Sequence, residues 1–100
     1  MLMPCNRCVN GLTGNSGQVC FAASRVYVQD GIYDNFVAAY RKAFAAKREV
    51  VGDPEKAASE IGPVVDQAQY EKILKIIDNA KKNKEGTLLQ GGEALGSEVR

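Results

Sequence analysis

Cys20 is the residue best placed to do chemistry. It closes the loop Asn15-Ser16-Gly17-Gln18-Val19-Cys20 and leads into Phe21-Ala22-Ala23-Ser24-Arg25. Polar residues and a glycine ahead of an apolar run, Val26-Tyr27-Val28, make a sharp turn that presents one side chain at the mouth of a sheet. A thiol held there among backbone N–H groups can act as a nucleophile, because the thiolate is the reactive form and local dipoles favour it. On composition alone the competing reading, a buried structural cysteine, is the stronger one, since unpaired Cys is among the most buried residue types. The chain has no histidine, so a Cys-His dyad within it is excluded. Activation of Cys20 must come from dipoles, water or other chain segments.

Two further thiols, in Cys5-Asn6-Arg7-Cys8, have the spacing of a zinc half-site or a redox pair. Zinc wants four N/S ligands, and only Cys20 can add a third. A redox dithiol wants a strand before it, and only four residues precede Cys5. No metal site is expected, and residues 1–8 read as a disordered start carrying two incidental thiols. Gly11, Gly14 and Gly17 recur every third residue, but no strand precedes them and no Lys-Ser/Thr helix start follows, so they are turn glycines and not a phosphate loop.

The elements that must position Cys20 follow from periodicity. Val9 to Leu12 reads as the tail of a helix. Ser24 to Gln29 alternates, with Val26 and Val28 on one face and Arg25 and Tyr27 on the other, as a strand does; Arg25 is expected to anchor the loop. Asp30-Gly31 turns into a helix of about residues 32–47, whose Tyr33, Phe36, Val37, Tyr40 and Phe44 form one stripe expected to pack on a sheet. Residues 50–64 connect, punctuated by Pro54 and Pro63. A second helix opens at Asp66, a natural N-cap, with Gln69 placed for a capping box and Val65 for a staple onto Tyr70. Tyr70, Ile73, Leu74 and Ile77 are its buried stripe, and Gly86 suits a left-handed stop after Lys81, Lys82 and Lys84. Thr87 to Gln90 reads as a short strand before Gly91-Gly92.

Size and charge bound the remaining options. One hundred residues allow one domain at most. An apolar share of 45% and a charged share of 25% are those of a globular segment. A formal charge of +1 gives no case for nucleic acid or an anionic membrane surface. No apolar run approaches the roughly 18 residues that span a bilayer, and Met1-Leu2-Met3-Pro4 does not start a signal peptide. Three unpaired cysteines fit a reducing, cytoplasmic location. Alternating helices and strands mean an α/β fold, and two short strands cannot cover two amphipathic helices, so the chain reads as an excerpt of a larger domain.

The motifs agree. Asn15-x-Gly17-Gln18-x-Cys20 with Ala-x-Ser-Arg after it resembles the nucleophile segment of the aldehyde dehydrogenase superfamily. Ile32-Tyr33-Asp34-Asn35-Phe36-Val37, Val50-Val51-Gly52-Asp53-Pro54, Ile61-Gly62-Pro63-Val64-Val65 and Gly91-Gly92 resemble later motifs of that family, in order. The resemblance covers about residues 9–95; residues 1–8 stay outside it. Thr13 and Phe21 depart from the family's usual residues, both on the substrate side of the loop.

The resemblance implies an incomplete excerpt of an α/β catalytic domain, residues 9–100, from an enzyme that oxidises a small-molecule aldehyde to an acid with NAD or NADP. Cys20 would be the nucleophile and pass through a thiohemiacetal and a thioester. Val19 and Phe21 would line the substrate tunnel, and Asn15, Gly17 and Gln18 would scaffold the loop. Gln69 and Lys72 match positions near the cofactor ribose; the residue-level alternatives are a capping partner for Gln69 and an exposed lysine for Lys72. The family's general-base glutamate, second oxyanion donor and dinucleotide domain lie upstream, so the isolated chain is expected to be inactive. The alternative is a non-catalytic interaction fragment that associates with itself or with a full-length relative through uncovered apolar faces.

Overall fold

Cys5, Cys8, Val9 and Leu12 fall at i, i+3, i+4 and i+7, the spacing of one helical face. The computed structural model, which describes residues 2–95, turns that face into the start of the fold. Helix α1 spans Leu2–Thr13, α2 Tyr33–Arg48 and α3 Gln67–Lys82. Short 3-10 turns at Gly14–Gly17 and Asp30–Ile32 follow α1 and precede α2. Met1 and residues 96–100 of the expected partial domain lie outside the described residues.

The start of the chain is therefore a correction. Residues 2–8 were expected to be disordered, yet they are helical, with Cys5 fully buried and Val9 1% exposed. Cysteine packs as a small hydrophobe, and Pro4 is tolerated in the first helical turn because its missing N–H has no partner there anyway. Against this face lies the α2 stripe. Phe36 is buried at 8% exposure, and the Cys5 thiol points at its carbonyl oxygen, 3.9 Å away. Phe36 stacks on Tyr40 at 5.5 Å between ring centroids, and Tyr40 meets Phe44 edge-on at 4.9 Å. The stripe was expected to face a sheet; α1 covers it instead.

Among the described residues there is no strand, only an isolated parallel bridge between Val51 and Ile61. The α/β expectation fails here at Ser24–Gln29 and Thr87–Gln90, neither of which has a ladder partner. Alternation nonetheless persists in the first segment: Val26 and Val28 are half-buried, while Tyr27 is 92% exposed. A strand exists only when a neighbour takes its N–H and C=O groups. Residues 50–61 close on themselves instead, with Gly52 N–H donating to Ile61 O at 3.0 Å and Glu60 N–H to Val50 O at 2.9 Å. The Lys47–Glu60 ion pair at 3.0 Å ties that loop to α2.

Helix α3 starts as its residues dictate. Asp66 is extended, and its Oδ1 accepts from Gln69 N–H at 2.8 Å. The reciprocal bond of a capping box is not formed among the described residues, and Val65, the expected staple, is 76% exposed. The stop also differs from the expectation at Gly86. It falls on Lys84 (φ 51°), with Glu85 N–H bonded to Ala80 O at 3.1 Å and Lys84 N–H to Lys81 O at 3.3 Å, the paired bonds of a Schellman motif. Gly91 and Gly92 (φ 71° and 77°) then turn the chain back, and Lys81 Nζ reaches Gly92 O at 2.6 Å and Glu93 at 3.0 Å. No residue of α3 is buried.

Burial, then the neighbouring Cys8 and Cys5 thiols, raise the Tyr40 hydroxyl above its usual value of 10.0. The folded form thus holds this proton more tightly than the unfolded chain does. Its contribution to stability is complete below about pH 10 and lost as pH rises through the folded value. Thermal unfolding followed by circular dichroism should drop above that pH, and less steeply in Tyr40→Phe; an equal drop in both proteins would refute the assignment.

Candidate active site

The segment after α1 winds the wrong way for L-residues. Asn15, Ser16 and Gly17 are consecutively left-handed, with φ of 50°, 56° and 77°. Glycine adopts this freely and asparagine tolerates it, whereas serine is strained. Local and distant bonds hold the run. Asn15 O accepts from the Gln18 backbone N–H and from Gln18 Nε2, both at 3.1 Å, and Asn15 Nδ2 donates to Gln18 O at 3.2 Å. Ser16 Oγ donates to Gly62 O at 2.8 Å, and Gln18 Oε1 accepts from Val65 N–H at 2.9 Å.

Cys20 follows at the second position of a tight turn. Ala22 N–H donates to Val19 O at 3.0 Å, so Cys20 and Phe21 are the central residues. Ala23 N–H donates to Gly11 O at 3.1 Å, which fastens the turn to α1. The thiol is free and exposed, so the buried-cysteine reading does not hold for Cys20; it holds for Cys5. Among the described residues the backbone N–H groups of Cys20 and Phe21 have no acceptor.

The other expected site residues are placed as follows. Val19 is half-buried and Phe21 is 85% exposed, on either side of the thiol. A hollow of about 310 Å³ is lined by Leu12, Thr13, Ser16, Gly17, Ile61, Gly62 and Val64; Val19, Cys20 and Phe21 do not line it. Gln69 is half-buried and Lys72 exposed, three residues apart near the start of α3. Arg25, expected as the loop anchor, is exposed and has no hydrogen bond among the described residues. The anchoring falls to Ser16, which sequence reasoning passed over because nothing in its neighbours marks a serine that bonds 46 residues away. No group of three or more metal-binding side chains occurs among the described residues.

The aldehyde dehydrogenase family model matches residues 4–99. The chain belongs to the aldehyde dehydrogenase family. The match begins inside α1, so part of the stretch first set outside the resemblance falls within it. Among similar proteins, aldehyde dehydrogenase family 2 member C4 of Arabidopsis thaliana is 48% identical over 82 residues, 82% of this chain and 16% of that protein. Human retinaldehyde dehydrogenase 3 is 45% identical over 86 residues, 85% of this chain and again 16% of that protein. An aldehyde dehydrogenase of Saccharomyces cerevisiae named for NAD(P)+ is 40% identical over 86 residues, 84% of this chain and 17% of that protein. The chain thus spans about a sixth of the length of these relatives.

Exposure ranks the three thiols. Cys20 is exposed, Cys8 intermediate and Cys5 buried. Iodoacetamide should label the native chain first at Cys20 and last at Cys5, with Cys5 reacting only on unfolding. Mass spectrometry of quenched time points reads the order, and equal rates would mean that the α1–α2 seam is open in solution.

Proposed function

We propose that this chain is the nucleophile-bearing segment of an NAD(P)-dependent aldehyde dehydrogenase that oxidises a small aldehyde to a carboxylic acid. The observation that carries the reading is an exposed thiol on a tight turn, with free backbone donors, in a chain of this family. Cys20 Sγ adds to the aldehyde carbon to give a thiohemiacetal. The developing oxyanion takes the Cys20 N–H, a donor that contributes ~3–4 kcal/mol when fixed where charge appears. Oxidation leaves a thioester on Cys20, which water hydrolyses. Val19 and Phe21 flank the reacting carbon and select the aldehyde, while Asn15, Gly17 and Gln18 keep the loop in shape.

The cofactor reading is tested by the side chains of α3. Gln69 offers an amide with no hydrogen bond of its own among the described residues, and Lys72 an ammonium outside the two ion pairs. A neutral donor–acceptor and a cation one turn apart fit a ribose and its phosphate. NAD(P), when bound, supplies the hydride acceptor. Ser24–Gln29 and Thr87–Gln90 become strands of an α/β sheet completed by the rest of the catalytic domain, which explains the alternation at Val26–Val28 without a ladder. We place the enzyme in the cytoplasm on the strength of its three thiols; no helix among the described residues is long and apolar enough to cross a membrane.

The match to only 16% of the relatives' length supports inactivity of the chain alone. Purified chain with NAD and acetaldehyde should give no sustained NADH absorbance; steady production would refute this. The enzymatic reading is tested by exchange. This chain's matching 86 residues replace those of the human relative, and the chimera is assayed on retinaldehyde after gel filtration confirms assembly. Turnover should fall by about a thousandfold or more on Cys20→Ser; undiminished turnover would remove Cys20 from the chemistry. The second reading, an interaction fragment that binds itself or a full-length relative, is favoured by the exposure of Tyr27, Val65 (76%) and Ile76 (58%).

A further inference from the structure

Two side chains of the thiol loop reach across the chain to the same short segment. Ser16 Oγ donates to Gly62 O at 2.8 Å, and Gln18 Oε1 accepts from Val65 N–H at 2.9 Å. Both partners lie between the closed loop at residues 50–61 and the Asp66 cap of α3. The Gln18 amide is used at both ends, since its Nε2 donates to Asn15 O at 3.1 Å. An amide, like a neutral carboxylic acid, offers a donor and an acceptor from one planar group, whereas a carboxylate only accepts. Ser16 accepts a left-handed conformation (φ 56°) that serine disfavours, and in that conformation its hydroxyl meets Gly62.

We propose that Ser16 and Gln18 are positioning residues that clamp the turn bearing Cys20 to the residue 62–65 segment leading into α3, so that the thiol and the Gln69/Lys72 end of α3 hold a fixed relation. The inference rests on the enzymatic reading for its purpose but not for its geometry. Breaking either clamp frees the Asn15–Gly17 run, and with it the Ala22–Val19 and Ala23–Gly11 bonds that fix the turn. Ser16→Gly separates two explanations of the strain, because glycine relieves the backbone while deleting the hydroxyl.

The test uses amide hydrogen exchange of this chain by NMR, as protection factors at Val65, Ala22 and Ala23, with α3 amides such as Lys75 as control. Gln18→Glu at pH 6.5 should lower protection at Ala22 and Ala23 about tenfold, the effect of one hydrogen bond, because a carboxylate cannot donate to Asn15 O, while it still accepts from Val65 N–H. At a pH below the usual glutamate value of about 4.3 the neutral acid donates and accepts as the amide does, and protection should return to the wild-type level. The Asp66 carboxylate that caps α3 adjoins Val65, so wild type at each pH is the reference. Ser16→Gly should lower Ala22 and Ala23 protection despite its relaxed backbone.

Loss at Val65 with Ala22 and Ala23 unchanged would overturn the proposal, as would a pH-independent Gln18→Glu effect or a neutral or protective Ser16→Gly. A Cys20 that proves dispensable in the chimera would remove the enzymatic reading and leave these exchange rates as they are, so the two failures are distinguishable.

Discussion

The seam between α1 and α2 is the constraint on which the rest depends. Cys5, Val9 and Phe36 are the buried hydrophobic residues among those described, and all three lie in it. Fully burying a side chain of this kind contributes ~1.5–3 kcal/mol, and among the described residues no other pair of α-helices shares the load. The aromatic ladder Phe36–Tyr40–Phe44 extends the contact along α2. Fixing α1 fixes Gly11, whose carbonyl holds Ala23 N–H, and so sets where the turn at Cys20 begins and ends. The thiol of the site is posed, at one remove, by the packing of another thiol in the core.

Outside that seam the helices keep apolar surface that the described residues cover only in part. Helix α3 carries Tyr70, Ile73, Leu74 and Ile77 on one face, yet none is buried. Tyr27, inside the Ser24–Gln29 segment, and Phe21, ahead of it, are exposed. An amphipathic element is stable as part of a layer, not as a layer by itself. The pattern of exposure is that of a fold whose other layer comes from elsewhere, in keeping with a match to a sixth of the relatives' length.

Local rules made most of the helices legible. The α2 and α3 stripes, the Asp66 cap and the turn at Gly91-Gly92 are short-range matters, and each could be read from neighbours a turn apart. Helix α1 was legible in its tail, Val9 to Leu12, but not in its start, although Cys5 and Cys8 continue the same face, because a cysteine carries chemistry as readily as it packs. The expected strands form no ladder among the described residues for a different reason: alternation is visible at Val26 and Val28, but a ladder needs a partner that a single segment does not declare. The stop at Lys84 shows the Schellman bond pair overriding the preference for glycine. At the site, Cys20 could be picked out by its neighbours, while the partner of Ser16 could not, since hydrogen bonds across 46 residues leave no trace in local spacing.

Energetics explain why such distant partners matter to the loop. A left-handed L-residue costs roughly 1–2 kcal/mol, so Asn15 and Ser16 together ask for a few kcal/mol, somewhat less for the tolerant asparagine. Each net hydrogen bond returns about 0.5–1.5 kcal/mol. The side-chain bonds within the loop, Asn15 Nδ2 to Gln18 O and Gln18 Nε2 to Asn15 O, offset only part of that cost. The bonds to Gly62 and Val65 bring the sum close to balance. A conformation that stands near zero is decided by whichever partner is present. The shape of the turn that offers Cys20 is therefore written as much at residues 62–65 as in the loop itself, and a loop of the same letters without that segment has no reason to wind left-handed.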